Sequence, residues 1–175
     1  MRARRRNLSV WQRETAAWEL ARNMHRQIWF MRANRIGLYL PHGGELDVLP
    51  AVLGSHRRGR KLYLPVLRQR HHMEFIRWHP GQPLVSNRFG IPEPPLQQCQ
   101  PVPLWSLDVL LLPLVAFDAS GNRLGMGGGF YDRTLAGLAQ RPRRPRLVGI
   151  AYGFQEVDAL PVAPWDQKLD QVLTA

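Results

Sequence analysis

Cysteine is nearly absent from this sequence: Cys99 is the single one among 175 residues, so the chain cannot form an internal disulfide. That usage is typical of a reducing compartment. No apolar run reaches the roughly 18 residues of a membrane-spanning helix, and the longest one, Val109–Phe117, contains Pro113. The basic N-terminus is not followed by the apolar stretch of a signal peptide. We therefore expect a cytoplasmic protein without a membrane partner, and its length suits a single domain over residues 1–175.

Acidic residues are also scarce, since 13 Asp and Glu stand against 24 Lys and Arg and give a net charge of +11. The excess lies in four clusters: Arg2–Arg6, His56–Lys61, Arg68–His72 and Arg141–Arg146. A positive field attracts nucleic acid, nucleotide phosphates or a polycarboxylate ligand, and each cluster is equally consistent with a solvated surface. No RNA-recognition or helix-turn-helix motif is visible, so we expect no nucleic-acid partner.

Hydrophobic periodicity predicts helices alternating with strands. A capping box at Ser9–Gln12 opens a predicted amphipathic helix over about Ser9–Phe30. Its apolar stripe is expected in the core and consists of Val10, Ala17, Leu20, Met24 and Ile28. Further helices are predicted at Val48–Leu53 and Tyr131–Ala139, and strands at Arg35–Leu40, Lys61–Leu67, Met73–Trp78, Leu107–Leu112, Arg146–Tyr152 and Gln171–Thr174. The proline-rich segment Pro80–Pro103 is expected to be extended or looping.

This alternation is typical of an α/β protein, here a three-layer α/β/α sandwich with a largely parallel central sheet, Rossmann-like in type. Strand Met73–Trp78 is a candidate for antiparallel pairing. Ligands of such sheets bind beyond the carboxyl ends of the strands. That rule points to three loops: Pro41–Asp47, Pro113–Asp132 and Gly153–Asp170.

A glycine-rich segment, Gly125–Gly129, follows the apolar strand and precedes a predicted helix. Consecutive glycines let the backbone adopt positive φ and approach a ligand, and successive N–H groups there can bind an anion. The helix adds the positive end of its dipole, and Arg123 and Arg133 flank the segment with guanidinium groups suited to phosphate oxygens. A tight turn at a helix N-terminus is the structural alternative.

Asp132 lies where a phosphate would bind to this segment. A carboxylate repels a phosphate unless a cation lies between them, and Mg²⁺ typically binds one or two carboxylates together with substrate phosphates. The segment lacks the Lys-Ser/Thr ending of a Walker A motif, and it is not a dinucleotide-binding GxGxxG motif. The residues therefore favour a magnesium-assisted phosphate site of another kind.

Residues Asn122–Arg133, with the sequence NRLGMGGGFYDR, resemble the signature of the 5-formyltetrahydrofolate cyclo-ligases, also called methenyltetrahydrofolate synthetases. Four further segments resemble the same family in the same order. They are Tyr39–Asp47 (YLPHGGELD), Lys61–Pro65 (KLYLP), Asp108–Phe117 (DVLLLPLVAF) and Leu160–Asp170 (LPVAPWDQKLD). The resemblance runs from about Arg4 to Thr174, which is nearly the whole chain.

The resemblance implies one site for ATP, Mg²⁺ and a folate. Asp132 and Asp166 are expected to hold the metal, and Arg123 and Arg133 to act in catalysis. Leu40 and Glu45 are expected to contact the folate, since a carboxylate accepts hydrogen bonds from the N–H groups of a pterin. ATP is expected to contact Arg4, Arg5, Arg123, Leu124, Gly125, Met126, Gly127, Gly128, Gly129, Phe130 and Tyr131. The folate is further expected to contact Met126, Gly127, Gly128, Gly129 and Phe130.

The implied reaction converts ATP and 5-formyltetrahydrofolate into 5,10-methenyltetrahydrofolate, ADP and phosphate through an iminium phosphate. We expect a monomer whose positive field also favours polyglutamylated folates. One departure concerns the family's N-terminal Lys and Arg for the nucleotide phosphates, because the sequence begins just after those positions. Either other arginines, here Arg4 and Arg5, take their place, or the given start is late. Two alternatives stay open. One is another phosphate-ligand enzyme, related to sugar-phosphate isomerases or CoA-transferases, and the other is a homologue that binds folate without turnover.

Overall fold

The computed structural model describes residues 1–56, 59–95 and 100–175. Cys99, and Arg57 and Arg58 of the second basic cluster, lie outside them. The helices are α1 (Arg2–Arg6), α2 (Val10–His25), α3 (Ile28–Arg32), α4 (Leu49–His56) and α5 (Phe130–Leu135). The strands are β1 (Arg35–Gly37), β2 (Lys61–Leu67), β3 (Met73–Trp78), β4 (Val85–Ser86), β5 (Pro92–Glu93), β6 (Pro101–Val102), β7 (Val109–Pro113), β8 (Ala116–Phe117), β9 (Arg123–Leu124), β10 (Arg146–Ala151) and β11 (Gln171–Thr174). Single 3₁₀ turns occur at Gln69–His71, Leu104–Ser106, Leu138–Gln140 and Gly153–Gln155.

In the part of the chain that the structure describes, the central sheet has seven strands in the order β11–β10–β7–β1–β2–β3–β6. The strands from β11 to β2 run parallel, whereas β3 is antiparallel to β2 and β6 is antiparallel to β3. The predicted largely parallel sheet and the antiparallel pairing of Met73–Trp78 are therefore confirmed. Two short hairpins, β4–β5 and β8–β9, lie outside this sheet.

Both faces of the sheet are covered, because side chains on a strand alternate between them. On β7, Val109 and Leu111 pack in one hydrophobic cluster that also contains buried side chains of α2, α3 and α4. Leu110 and Leu112 pack in a second cluster with Leu135 of α5. These two clusters lie between the sheet and the helices on its two faces, so the predicted α/β/α sandwich is confirmed.

The prediction of one helix over Ser9–Phe30 is wrong, because α2 ends at His25 and α3 begins at Ile28, with extended backbone at Gln27. Met24 and Phe30 are both fully buried. In one continuous helix they would point about 120° apart, so the break lets both reach the core. Val10 and Ile28 of the predicted stripe are 70% and 69% exposed. Among the described residues, no helix is both long and apolar enough to cross a membrane.

Several element ends also differ from the prediction. Helix α5 stops at Leu135 rather than Ala139, since Gly137 takes a φ of +79° and starts a separate 3₁₀ turn. Strand β1 stops at Gly37 rather than Leu40, and the residues that follow carry Leu40 into the loop at the carboxyl edge of the sheet. The segment Pro80–Pro103 holds only two-residue strands where it is described, as an extended or looping segment should.

Candidate active site

A cavity of about 420 Å³ opens at the carboxyl edge of the parallel strands. That volume lies within the range of small-molecule sites. Its wall comes from the loop after β1, the ends of β2 and β7, the glycine-rich segment and the tip of the β4–β5 hairpin. The predicted residues that line it are Leu40, Glu45, Arg123, Gly125, Met126, Gly128, Gly129, Phe130, Tyr131 and Asp132. The carboxyl-edge rule thus located the cavity.

Glu45 lies half-buried in the loop after β1. Its Oε2 accepts a hydrogen bond from the His42 N–H at 3.1 Å. The Tyr39 hydroxyl donates to the Leu46 carbonyl at 2.5 Å and closes the same loop. Burial raises the pKa of the Glu45 carboxyl, while the His42 N–H and the Arg5 guanidinium oppose that rise. The Glu45 carboxylate therefore binds protons more readily than an exposed one.

Two tyrosine hydroxyls face the Glu45 charge. Burial, reinforced by Glu45, raises the pKa of both Tyr39 and Tyr131. Both hydroxyls consequently stay protonated at neutral pH and can donate hydrogen bonds. The Glu45 end of the cavity combines one carboxylate with apolar wall from Leu40, which suits the flat, N–H-bearing edge of a heterocycle.

The glycine-rich segment has the predicted backbone freedom at two positions. Gly127 and Gly129 have φ of +87° and +62°, and Gly129 precedes the first residue of α5. The Gly128 carbonyl accepts from Arg133 Nη1 at 2.7 Å and meets His71 Nδ1 at 2.9 Å. Arg133 therefore stabilises the glycine-rich segment through this hydrogen bond. Helix α5 has only six residues, so its dipole is smaller than that of the predicted helix.

Asp132 is held between Arg123 and the loop after residue 160. Arg123 Nη2 lies 2.6 Å from Asp132 Oδ1, and only 5% of the Arg123 side chain is exposed. The Gln167 N–H also donates to Asp132 Oδ1, at 3.4 Å, and Arg123 Nη1 donates to the Gln167 carbonyl. These contacts fix the carboxylate at the cavity wall. Its Oδ2 makes no hydrogen bond to the residues that the structure describes.

Asp166 lies one residue from Gln167, so it shares the loop that packs on Asp132. Its Oδ2 accepts from the Ala163 N–H at 2.8 Å, which leaves Oδ1 without a hydrogen-bond partner in the described ranges. Each carboxylate thus keeps one oxygen for a cation. Within those ranges, no group of three or more His, Cys, Asp or Glu side chains could hold a metal. A cation here would need phosphate and water oxygens as well, which is how Mg²⁺ binds.

The N-terminal arginines lie beside this edge of the sheet but do not line the cavity. The Arg5 side chain is buried, and its Nη1 donates to the Leu114 carbonyl at 2.9 Å. Leu114 is itself part of the cavity wall. Arg4 is exposed, with its guanidinium carbon 4.3 Å from the centre of the Phe154 ring. Leu124, Gly127, Arg133 and Asp166 likewise lie next to the cavity lining rather than in it.

Sequence reasoning missed part of the wall. Asn87, Phe89 and Ile91 line the cavity from a segment predicted only as extended or looping. The Asn87…Gly90 spacing is typical of a tight turn and could have indicated a hairpin. His71, which stacks on Phe130 at 4.9 Å between ring centres, had no local pattern to distinguish it from other surface histidines.

The sequence profile of the 5-formyltetrahydrofolate cyclo-ligase family matches residues 1–175. The chain belongs to this family. It is 42% identical to the 5-formyltetrahydrofolate cyclo-ligase of Escherichia coli K12 over 99% of the chain and 96% of that protein. It is 40% identical to the Haemophilus influenzae protein of the same name over 97% of the chain and 90% of the relative.

Solved structures of the cyclo-ligase fold agree with the architecture. The NMR structure of the Aquifex aeolicus 5,10-methenyltetrahydrofolate synthetase has a TM-score of 0.81 and 32% identity, and it covers 99% of this chain and 84% of that one. The Mycoplasma pneumoniae 5,10-methenyltetrahydrofolate synthetase has a TM-score of 0.76 over 98% and 92% of the two chains. At 24% identity, the second likeness concerns the fold alone. The resemblance seen in the motifs is therefore confirmed as family membership.

Proposed function

We propose that this cyclo-ligase family member converts 5-formyltetrahydrofolate to 5,10-methenyltetrahydrofolate in an ATP- and Mg²⁺-dependent reaction that releases ADP and phosphate. One observation carries the proposal. Glu45, in the loop after β1, and Asp132, which follows the glycine-rich segment, line the same cavity. A site with both features can hold a pterin and a polyphosphate side by side.

The chemistry explains why the chain needs no covalent nucleophile. The formyl oxygen attacks the γ-phosphorus of ATP, the bond from that phosphorus to ADP breaks, and an iminium phosphate forms on the folate. N10 then attacks the formyl carbon, phosphate leaves with the oxygen, and N10 loses its proton as the ring closes. The substrate supplies both nucleophiles and nothing is oxidised. The tasks of the protein are positioning and charge stabilisation.

At the folate end, Glu45 accepts hydrogen bonds from the pterin N–H groups and Leu40 covers a face of the pterin, while Phe130 contacts the folate elsewhere. Met126 and the backbone of Gly127, Gly128 and Gly129 contact the same substrate. Tyr39 holds the Glu45 loop through its 2.5 Å bond to the Leu46 carbonyl. The half-buried position of Glu45 strengthens its hydrogen bonds by keeping water away.

At the phosphate end, backbone N–H groups of the glycine-rich segment bind the polyphosphate. Arg123 is anchored by Asp132, and Arg133 by the Gly128 carbonyl, so both guanidinium groups are oriented before ligand arrives. Pre-oriented charge stabilises a transferring phosphoryl group without later rearrangement. Arg4 and Arg5 extend the positive field from the N-terminal side. The remaining ATP contacts come from Leu124, Gly125, Met126, Phe130 and Tyr131.

Asp132 and Asp166 are the residues that would hold Mg²⁺, each through the oxygen that makes no hydrogen bond to the described residues. When bound, the ion would neutralise the charge that develops on the phosphate oxygens. The Arg123–Asp132 ion pair holds the carboxylate at the cavity wall. Asp166 contributes from the neighbouring loop.

Other features of the protein stay proposals of the same kind. The net charge of +11 supports a preference for folates with polyglutamate tails. We also retain the predictions of a cytoplasmic monomer with one domain over residues 1–175. Comparable turnover of mono- and polyglutamate substrates at low salt would contradict the preference, and gel filtration with light scattering tests the monomer.

The deciding experiment follows the absorbance of the methenyl product from 5-formyltetrahydrofolate with and without Mg-ATP. We expect product only with Mg-ATP. If no product formed with Mg-ATP, the protein would instead be a homologue that binds folate without turnover. Asp132→Ala should abolish turnover through loss of the metal. Asp158→Ala is the matched control, because Asp158 is exposed and makes no contact with the cavity. Near-normal turnover in the Asp132 variant would contradict the metal assignment.

A further inference from the structure

The tip of the β4–β5 hairpin is a preformed part of the cavity wall. Asn87 Oδ1 accepts from the N–H groups of Phe89 and Ile91 at 2.9 and 3.1 Å. Its Nδ2 donates to Glu93 Oε2 at 3.0 Å. These bonds fix the backbone on both sides of the tip, so residues 88 and 89 are presented in one conformation.

Aromatic side chains form the cavity wall at this tip. Phe89 meets Phe130 edge-on, with 5.9 Å between ring centres and an interplanar angle of 89°. His71 stacks on Phe130 at 4.9 Å and 12°. Phe89 nevertheless remains 51% exposed. An exposed phenyl ring beside a second aromatic ring suits a planar apolar part of a ligand.

Arg88 places an uncompensated positive charge beside these rings. Its guanidinium carbon lies 5.0 Å from the centre of the Phe89 ring and 5.9 Å from that of Phe130. The nearby acids are engaged elsewhere: Glu93 accepts from Leu67 and Asn87, and Glu74 pairs with Arg68. Among the described residues, no carboxylate pairs with Arg88.

A folate has two chemically different ends. Its pterin is flat and bears N–H groups, whereas its other end is an aminobenzoyl ring that carries a glutamate with two carboxylates. The cavity has a carboxylate, Glu45, in one part of its wall and the aromatic ring of Phe89 in another, and the Arg88 guanidinium lies beside that ring at the rim. The carboxylate of Glu45 matches the N–H groups of the pterin, and the aromatic rings with the Arg88 guanidinium match the aromatic, anionic end.

We propose that the β4–β5 tip recognises the aminobenzoylglutamate end of the substrate, with Phe89 and Phe130 against the ring and Arg88 paired with a glutamate carboxylate. This inference rests on the proposed function and names the residues that select the anionic end. A guanidinium group can bind a carboxylate through two parallel hydrogen bonds. Arg88 thereby determines specificity for a substrate with a glutamate, and it takes no part in the phosphoryl transfer.

The test compares 5-formyltetrahydrofolate with 5-formyltetrahydropteroate, which lacks the glutamate. Binding of each is measured by calorimetry without ATP. Arg88→Ala should weaken binding of the first by roughly tenfold, since a hydrogen bond to a charged group is worth about 1.5–3 kcal/mol and 1.4 kcal/mol is tenfold. Binding of the pteroate should not change. Arg88→Lys, which keeps the charge without the planar fork, should fall between.

Arg77→Ala is the matched control, because Arg77 is exposed on β3 and does not line the cavity. Thermal unfolding checks that each variant stays folded. Equal binding of both ligands by the wild-type protein, or an Arg88→Ala effect that is absent or the same for both ligands, would overturn the inference. A wild-type protein that discriminates between the ligands but forms no methenyl product with Mg-ATP would contradict only the proposed function.

Discussion

Replacing Glu45 by Gln tests the folate end of the site most selectively. Glu45 Oε2 already accepts from the His42 N–H at 3.1 Å, so the other oxygen carries most of the ligand contact. Gln turns one acceptor into a donor and removes the charge. One lost charge-assisted hydrogen bond costs about 1.5–3 kcal/mol, which corresponds to roughly 10- to 150-fold in the KM for 5-formyltetrahydrofolate.

The pH profile gives a second readout of the same variant. Burial raises the pKa of the Glu45 carboxyl. The carboxylate that binds the pterin exists above that pKa, so folate affinity is lost as the pH falls through it, at a higher pH than for an exposed Glu. This fall of folate affinity at low pH is the acidic limb of the profile. It should disappear in Glu45→Gln, because Gln does not titrate. Arg5, Tyr39 and Tyr131 are the charged and titratable groups that interact with this carboxylate, and burial raises the pKa of both tyrosines.

Steady-state kinetics from acid to neutral pH, with each substrate varied in turn, make the measurement. The KM for ATP should stay unchanged. Asp47→Asn is the matched control, because Asp47 lies in the same loop and burial also raises its pKa. Its Oδ1 accepts from the Leu49 N–H at the start of α4, and Asn keeps an oxygen for that bond, so the variant should stay stable and keep the loss of folate affinity at low pH. A Glu45→Gln variant with an unchanged folate KM and acidic limb would refute the reasoning.

Two further pairs of variants separate chemistry from structure. Asp166→Asn should raise the Mg²⁺ concentration for half-maximal turnover by about tenfold. Asp170→Asn should leave that concentration unchanged. It should instead lower the free energy of unfolding by about 1–3 kcal/mol, since Asp170 makes two 2.7 Å contacts with Arg144. Metal titration and urea unfolding distinguish them, and the opposite pattern would show that the roles are reversed. Gly44→Ala should be destabilising and raise the folate KM, because φ is +81° and a Cβ would lie 2.8 Å from a backbone carbonyl of α1. Gly43→Ala, with φ of +59° and open space around the Cβ, should cost less, and equal effects in thermal unfolding would contradict this packing account.

The bounds of three strands were predictable because their patterns are local. Lys61–Leu67, Met73–Trp78 and Gln171–Thr174 begin and end where β-forming residues do. The break at Gln27 was not predictable, since no proline or glycine marks it. It arises because Met24 and Phe30 are both drawn into the core, which is a tertiary effect.

The site divides in the same way. The carboxyl-edge rule and the motifs placed Glu45, the glycine-rich segment and Asp132 in one cavity, as the structure has them. The pairing of Arg123 with Asp132 and the position of Phe89 were not predictable. Both depend on how separate segments pack together, and a local pattern such as the Asn87…Gly90 spacing indicates a turn but not the side chains that it meets.

The most direct test of the account uses 5-formyltetrahydrofolate labelled with ¹⁸O in the formyl group. Wild-type protein is supplied with Mg-ATP, and the released phosphate is analysed by mass spectrometry. We predict one ¹⁸O atom in each phosphate, in equal amount to the methenyl product, because the formyl oxygen leaves as part of the phosphate. Methenyl product accompanied by unlabelled phosphate, or no ATP-dependent product, would contradict the proposed reaction.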